Sequence, residues 1–395
     1  MRVHIVDPSA YTPPYDHALC RALTLVGQQV ELLTSNFAYG TVAAPEGYVR
    51  SELFYSHAIG APGGRLRTVS KLAEHLPDML RYRRYAREAD VVHFQWVPVQ
   101  AIDRHLLPTH RPLVLTSHDV LPREPRPGQL GAQRRLYERF DAIVVHSEHG
   151  RSRLVEELGV ESRRVHVIPH GVFTHLVPQG LDGPGEGQGA STKTGDSRVR
   201  ARREPYPARV RESLSFESTN PTVLMFGLMR PYKGIDILLE AWRGVDGQAP
   251  IEDAELLIAG LPKMDISALR AGAPTNVKFD PHFVTDDELP AYFERADLVV
   301  LPYLQADQSG VLFTALAFGK PLLLSDVGGF PEMQPTGAAR IVPAGDPSAL
   351  GRALRELLHD RATLAEMCVK ARAAAYGRYS WEASARAHVE LYRSL

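Results

Sequence analysis

The chain has 395 residues, 45 Lys plus Arg against 46 Asp plus Glu, 44% hydrophobic residues and two cysteines, which describes an ordinary globular chain of two or three domains, most simply two. A formal net charge of -1 leaves no global electrostatic footprint for nucleic acid. Cys20 and Cys368 supply neither a disulfide framework nor a Cys-rich zinc site, and both sit in apolar helix-like patterns that read as small buried hydrophobes. The first apolar run, Val3 to Val6, stops at Asp7, too short for a signal-peptide core, and no run approaches about 18 apolar residues, so a cytoplasmic location is expected.

Val3 to Val6 reads as a strand, Ala18, Leu19, Ala22, Leu23 and Val26 recur at helical spacing, and Val30 to Leu33 starts a second strand, which makes a βαβ unit. Short apolar runs follow at Val91–Phe94, Leu113–Leu115, Ile143–Val145 and Val165–Ile168, with helical stretches between several of them. The pattern restarts at Val223–Phe226, a helical Ile235 to Trp242, then Leu256–Ile258, Leu298–Leu301 and Leu322–Leu324. The expected fold is α/β: two doubly wound parallel sheets, covered on both faces. From Pro347 to Leu395 no strand-like run occurs, and two or three helices are expected.

The expected domains are residues 1–178 and 221–379, joined by a flexible Gly/Pro/Arg-rich insertion over 179–220. Within it Lys193 to Arg211 carries seven basic and two acidic residues, a solvated tail or an anion-binding segment. Gly185 to Ala190 fits a loose dinucleotide pattern but follows no strand. The P-loop, zincin and nucleophile-elbow signatures are absent, no two aspartates stand two apart, and the H-x-x-H at His146 to His149 reads as helix surface, so no metal site is expected.

The chemistry-bearing segments stand at strand ends. Phe226-Gly227 closes a strand, and Arg230 and Lys233 precede an amphipathic helix, where a planar fork and a point charge can neutralise a diphosphate beside free helix N–H groups. After Leu301-Pro302-Tyr303, the turn Asp307-Gln308-Ser309-Gly310-Val311 opens a helix that ends at Gly319, and Gly310 permits close approach to backbone. His118 follows the strand Leu113–Leu115 and is placed to face a ligand crevice.

These segments, with Ala296 to Pro302, Ala317 to Pro321 and Asp326 to Glu332, resemble glycosyltransferase family 4, strongly over Thr222 to Tyr392 and more weakly at Thr116 to Asp119, Val145 to Glu148 and Ile168 to Gly171. The resemblance implies the GT-B fold, two Rossmann-like domains facing a cleft, and retaining, metal-independent transfer from a nucleotide diphosphate sugar. It implies that Gly227, Arg230, Lys233, Asp307, Gln308, Ser309, Gly310, Val311 and Thr314 bind the donor, Arg230 and Lys233 taking its diphosphate and Thr314 the ribose. His118 is implied beside the donor sugar, and Tyr15, Asp16 and Gln95 on the acceptor side, although Asp16 also suits a helix N-cap. The places of two glutamates usual in the family fall here on or beside Ala306-Asp307 and on Thr314, so that Asp307 is implied at the sugar hydroxyls. No cofactor or metal is expected, and the C-terminal helix, 380–395, is expected to pack on the first domain. An epimerase of the same fold, or a non-catalytic nucleotide-sugar or glycan-binding protein, are the alternatives.

The expected partners are the nucleotide-sugar donor and a glycan, lipid-linked or small-molecule acceptor, with no nucleic acid. Between Arg65 and Arg87, seven basic residues interleave with Leu66, Val69, Leu72, Leu76, Leu80, Tyr82 and Tyr85. The expected arrangement is an amphipathic helix with its apolar side on the core and its arginines solvated; the other is peripheral contact with the anionic inner face of a membrane.

Overall fold

In a computed structural model, described over residues 1–38, 40–121, 128–178, 206–215 and 220–395, each half winds around a parallel sheet. The N-terminal sheet contains β1 (Arg2–Asp7), β2 (Gln29–Ser35), β3 (Val49–Phe54), β4 (Val91–Phe94), β5 (Leu113–Thr116), β6 (Ala142–Val145) and β7 (Val165–Val167), in the order β3-β2-β1-β4-β5-β6-β7. Its helices are α1 (Pro13–Leu25), α2 (Arg65–Tyr85), α3 (Gln100–Leu106), α4 (Gln129–Tyr137) and α5 (Glu148–Glu156). Val3 and Ile5 point to one face with Leu19 and Leu23, while Val6 joins Leu33, Phe54 and Phe94 on the other. Such burial on both faces explains why the central strands read as unbroken apolar runs.

After α6 (Ala208–Ser213) come β8 (Thr222–Phe226), α7 (Ile235–Arg243), β9 (Glu255–Ala259), α8 (Ser267–Ala271), β10 (Val277–Asp280), α9 (Leu289–Arg295), β11 (Leu298–Leu301), α10 (Gly310–Ala317), β12 (Leu322–Ser325), β13 (Ala339–Val342), α11 (Pro347–His359) and α12 (Arg361–Tyr376). The strand order is β10-β9-β8-β11-β12-β13. The chain divides as Met1–Gly171 with Tyr379–Leu395, and Val172–Arg378. The last helix, α13 (Trp381–Ser394), belongs to the N-terminal unit, where Trp381 meets Tyr15 edge-on at 5.0 Å and the Tyr392 hydroxyl lies 2.6 Å from His93 Nδ1.

In both sheets the strand order reverses beside the first strand, between β1 and β4 and between β8 and β11. Loops leaving such a pair diverge to opposite faces and open a crevice at the carboxyl ends, where ligands of open α/β sheets bind.

Three expectations change. Residues 179–205 and 216–219 of the proposed insertion, with the Gly185–Ala190 pattern and most of its basic residues, lie outside the described residues. Residues 206–215 are folded: α6 buries Val210, Leu214 beyond it is also buried, and Arg209 pairs with Glu288, because two apolar residues at helical spacing suffice to seat one turn on β10. Cys20 is buried but Cys368 only half-buried.

The third concerns α2, whose apolar stripe does not face the core. Leu66, Val69, Leu72, Leu76 and Leu80 are 42 to 64% exposed, and the buried face carries His75, Asp78, Met79 and Tyr82. The polar pair is tolerated inside because each is hydrogen-bonded: His75 to Asp103, and Asp78 Oδ2 to the Tyr55 N–H at 2.7 Å. No helix among the described residues is long and apolar enough to cross a membrane.

Candidate active site

At the β8/β11 switch point four of the sequence-predicted donor residues converge, Gly227, Lys233, Ser309 and Val311. Gly227 holds φ +109°, a conformation that favours glycine, and a Cβ there would lie 3.6 Å from Lys233 Nζ and 3.3 Å from Val311 Cγ2. Pro231–Lys233 form one 3-10 turn ending at Gly234, φ +68°, where a Cβ would meet the Pro302 carbonyl oxygen at 2.1 Å. Only glycine lets these two loops touch. The contact turns Lys233 inward: its side chain is buried, its ammonium donates to the Tyr303 hydroxyl and lies 4.1 Å from that ring's centroid, and the hydroxyl is 3.4 Å from Ser309 Oγ. Tyr303 thus joins this cluster, although sequence reasoning quoted it only as the end of a strand.

Ser309 caps α10 without a side-chain cap bond, so the amides of Gly310 and Val311 belong to the unsatisfied first turn. Gly310 and Arg230 are exposed, and Arg230 makes no side-chain hydrogen bond or ion pair among the described residues. Asp307 and Gln308 are half-buried; the Asp307 carbonyl accepts from Gly329 N–H at 3.2 Å, which docks the Gly-Gly loop on this turn. Thr314 lies one turn further into the helix. It is buried, and its hydroxyl donates to the Gly310 carbonyl at 3.0 Å, one turn back in its own helix, as helical threonines commonly do.

The N-terminal unit brings a second group together at the carboxyl ends of β4 to β7. Trp96 stacks on His118 at 5.1 Å, Tyr15 meets His118 edge-on at 4.7 Å, and His146 lies 5.4 Å from His118 and 5.2 Å from His170. His118 Nε2 is 3.1 Å from Gln95 Oε1, an arrangement in which Nε2 carries the proton and Nδ1 is left as an acceptor. Burial, reinforced by His146 and His170, holds the His118 pKa well below the usual histidine range, so the ring is neutral at physiological pH. His146 also departs from its helix-surface reading: it closes β6, buried, with Nδ1 donating to the Ile168 carbonyl at 2.9 Å. Gln95 Nε2, His146 Nε2 and Trp381 Nε1 are buried without partners, and unsatisfied polar atoms at a sheet's carboxyl end are a mark of a ligand site.

The three residues expected on the acceptor side are all buried. Tyr15 is the hub of the aromatic cluster. Asp16 is not the N-cap of α1, a position held by Thr12; it lies in the first turn, hydrogen-bonded to Asp7. Burial, the Asp7 charge and that bond raise the Asp16 carboxyl well above the usual range, while Asp7 accepts the N–H groups of Ser9, Tyr11 and Thr12. Among the described residues no three His, Cys, Asp or Glu side chains converge as metal ligands do.

Family models for "Glycosyltransferase Family 4" and "Glycosyl transferases group 1" match residues 15–176 and 220–360, most of the chain between them. The phosphatidyl-myo-inositol mannosyltransferase of Mycobacterium leprae is 34% identical over 180 residues, 44% of this chain and 46% of that one. The D-inositol 3-phosphate glycosyltransferase of Xylanimonas cellulosilytica is 25% identical over 406 residues, 95% of this chain and 89% of that one. The chain therefore spans about half the length of the first relative and most of the second. Anabaena HepE, solved with UDP and glucose, superposes with a TM-score of 0.71 at 19% identity over all of both chains, and a sucrose-phosphate synthase from Thermosynechococcus elongatus with 0.69 at 19%. The two parallel-sheet domains are those of the GT-B fold, and the chain belongs to glycosyltransferase family 4.

Proposed function

We propose that the chain moves a glycosyl group from a nucleoside diphosphate sugar to an acceptor hydroxyl, with retention and without a metal. The observation that carries this reading is the convergence of Lys233, Gly227, Ser309 and Val311 on the β8/β11 switch point, a cation beside free helix-start amides where an anion belongs. Arg230 and Lys233 hold the diphosphate. The bond from the anomeric carbon to the phosphate oxygen breaks, the acceptor oxygen attacks from the same face, and its proton passes to the leaving phosphate. Charge develops on that phosphate, so the two cations stabilise the transition state more than the ground state. The uncharged His118, with Nδ1 an acceptor, is suited to receive a hydrogen bond from a sugar hydroxyl.

The exposed stripe of α2 supports apposition to a membrane. Leu66, Val69, Leu72, Leu76 and Leu80 share one side with Arg65 and Arg84, whereas Glu74 and Asp78 fall on others. The names of both relatives place a phosphate on the acceptor, one lipid-linked and one free.

A direct test incubates the protein with nucleoside diphosphate sugars and candidate acceptors in excess chelator and reads the product by NMR. A new glycoside with the donor's anomeric configuration is expected. Donor converted only to an isomeric sugar nucleotide would establish an epimerase, and bound but unchanged donor a binding protein.

A further inference from the structure

At the β1/β4 switch point of the N-terminal unit lies a cleft of about 410 Å³, within the range of small-ligand sites. It is separate from the buried residues that sequence reasoning put on the acceptor side. One wall is the inner border of α2, where Arg67 and Lys71 stand one turn apart. Neither makes an ion pair among the described residues: Arg67 donates to the Ala58 carbonyl at 3.3 Å, and Lys71 Nζ lies 4.9 Å from the Tyr55 ring centroid. Both are half-buried, and Lys71's pKa is lowered by burial and by Arg67. Asp7 acts on Lys71 electrostatically without forming an ion pair with it, and two adjacent, partly desolvated cations that no carboxylate among the described residues pairs are an arrangement that an anion relieves.

The floor of the cleft is set by a chain of hydrogen bonds. Asp103 accepts from His75 Nε2, which fixes Nδ1 as an acceptor, and the Tyr55 hydroxyl donates to that Nδ1 at 2.7 Å. The Tyr55 oxygen is therefore an acceptor in the cleft, taking one hydrogen bond from the Ser9 side chain and keeping a second lone pair for a ligand hydroxyl. Tyr55 holds φ +55° and Ala10, also lining the cleft, φ +51°. Only one other non-glycine residue among those described, Asp246, has positive φ, so backbone strain gathers at this cleft, as it does at functional sites.

We infer that this cleft binds a phosphorylated polyol, its phosphate on Arg67 and Lys71 and a hydroxyl on Tyr55, either free or as the headgroup of a lipid. Its role as the acceptor subsite rests on the transferase reading; its ligand chemistry does not.

The test titrates the full chain with D-inositol 3-phosphate, unphosphorylated inositol and inorganic phosphate by calorimetry, in parallel with a nucleoside diphosphate. D-Inositol 3-phosphate should bind at least tenfold tighter than inositol, and Arg67→Gln and Lys71→Gln should each weaken it about tenfold or more while nucleotide binding stays within about twofold. In the lipid arm, vesicles containing phosphatidylinositol are compared with vesicles of equal charge containing phosphatidylserine. A preference for phosphatidylinositol that Lys71→Gln abolishes, without measurable binding of the free phosphate, would assign the cleft to the headgroup. No discrimination in either arm, or variants that bind as the parent does, would overturn the inference. Failure of the parent to bind any nucleotide would contradict the transferase reading instead and leave the anion site standing.

Discussion

Lys233 and Tyr303 are joined twice, the ammonium donating to the hydroxyl and lying 4.1 Å from the centre of the same ring. The ring face and hydroxyl together hold a flexible four-carbon stem in one place, which turns a point charge into a positioned one. Replacing Tyr303 by Phe keeps the ring and removes the oxygen that joins Lys233 to Ser309. The expected result is an intact fold with nucleoside diphosphate affinity lowered by about three- to tenfold, as the ammonium keeps the ring face but loses one fixed partner. Unchanged affinity by calorimetry would show that the hydroxyl plays no part in positioning.

The N-terminal unit should lose stability in mild acid. Unfolded histidine titrates near 6.5. In the folded chain burial lowers His4, His146 and His388 to about 4, and His93, His118 and His170 well below their usual range. Below pH 6.5 the unfolded chain gains protons that the folded one cannot, so stability is full above 6.5 and falls as pH drops toward 4, by about 1.4 kcal/mol per pH unit for each such proton. Denaturant titrations across this range, followed by the fluorescence of Trp96 and Trp381, should show the decline. Asp16 acts in the opposite direction: its raised pKa stabilises at low pH and costs stability as pH rises, so Asp16→Asn should stabilise the unit at pH 8.

Central features of the fold were legible because central strands are buried on both faces and carry unbroken apolar runs. The strands missed were β3, β10 and β13, three of the four sheet edges, whose sequences VRSELF, VKFD and ARIV mix charge with apolar residues because one side is open. At the β8/β11 switch point, the convergence of Gly227, Lys233, Ser309 and Val311 was legible from strand-end placement. Tyr303 was not, because its role depends on the approach of two loops 70 residues apart through Gly234. The face of α2 was misassigned because periodicity finds an apolar stripe without saying which side of the helix meets the core; there the core side is the His75–Asp78 side, sustained by hydrogen bonds invisible in a hydropathy pattern.

Residues 206–215 should prove structural. Val210→Asp places a charge in a buried position against β10 and should destabilise the C-terminal unit by about 2 to 5 kcal/mol. A deletion ending at residue 205 should retain cooperative unfolding, whereas one extended through 215 should lower the thermal midpoint. Equal midpoints for the two deletions would restore α6 to the linker.

The stripe of α2 should bind anionic bilayers through both apolar and basic residues. Cosedimentation with anionic vesicles should appear at low salt and weaken as salt screens the charges. It should drop when Leu72 and Leu76 become Ser, and separately when Arg65 and Arg84 become Gln. Arg81 is the less informative target, being tied to Asp78 at 3.2 Å. Equal recovery with neutral and anionic vesicles, or none with either, would leave the stripe without a membrane role.

The transferase reading stands on the diphosphate anchor, and the affinity of Arg230→Ala and Lys233→Ala for nucleoside diphosphate tests it most directly. Loss of a charge-assisted partner should cost roughly 1.5 to 3 kcal/mol, about tenfold to more than a hundredfold in affinity, in each variant and with chelator present. Both variants binding within about twofold of the parent would contradict the account.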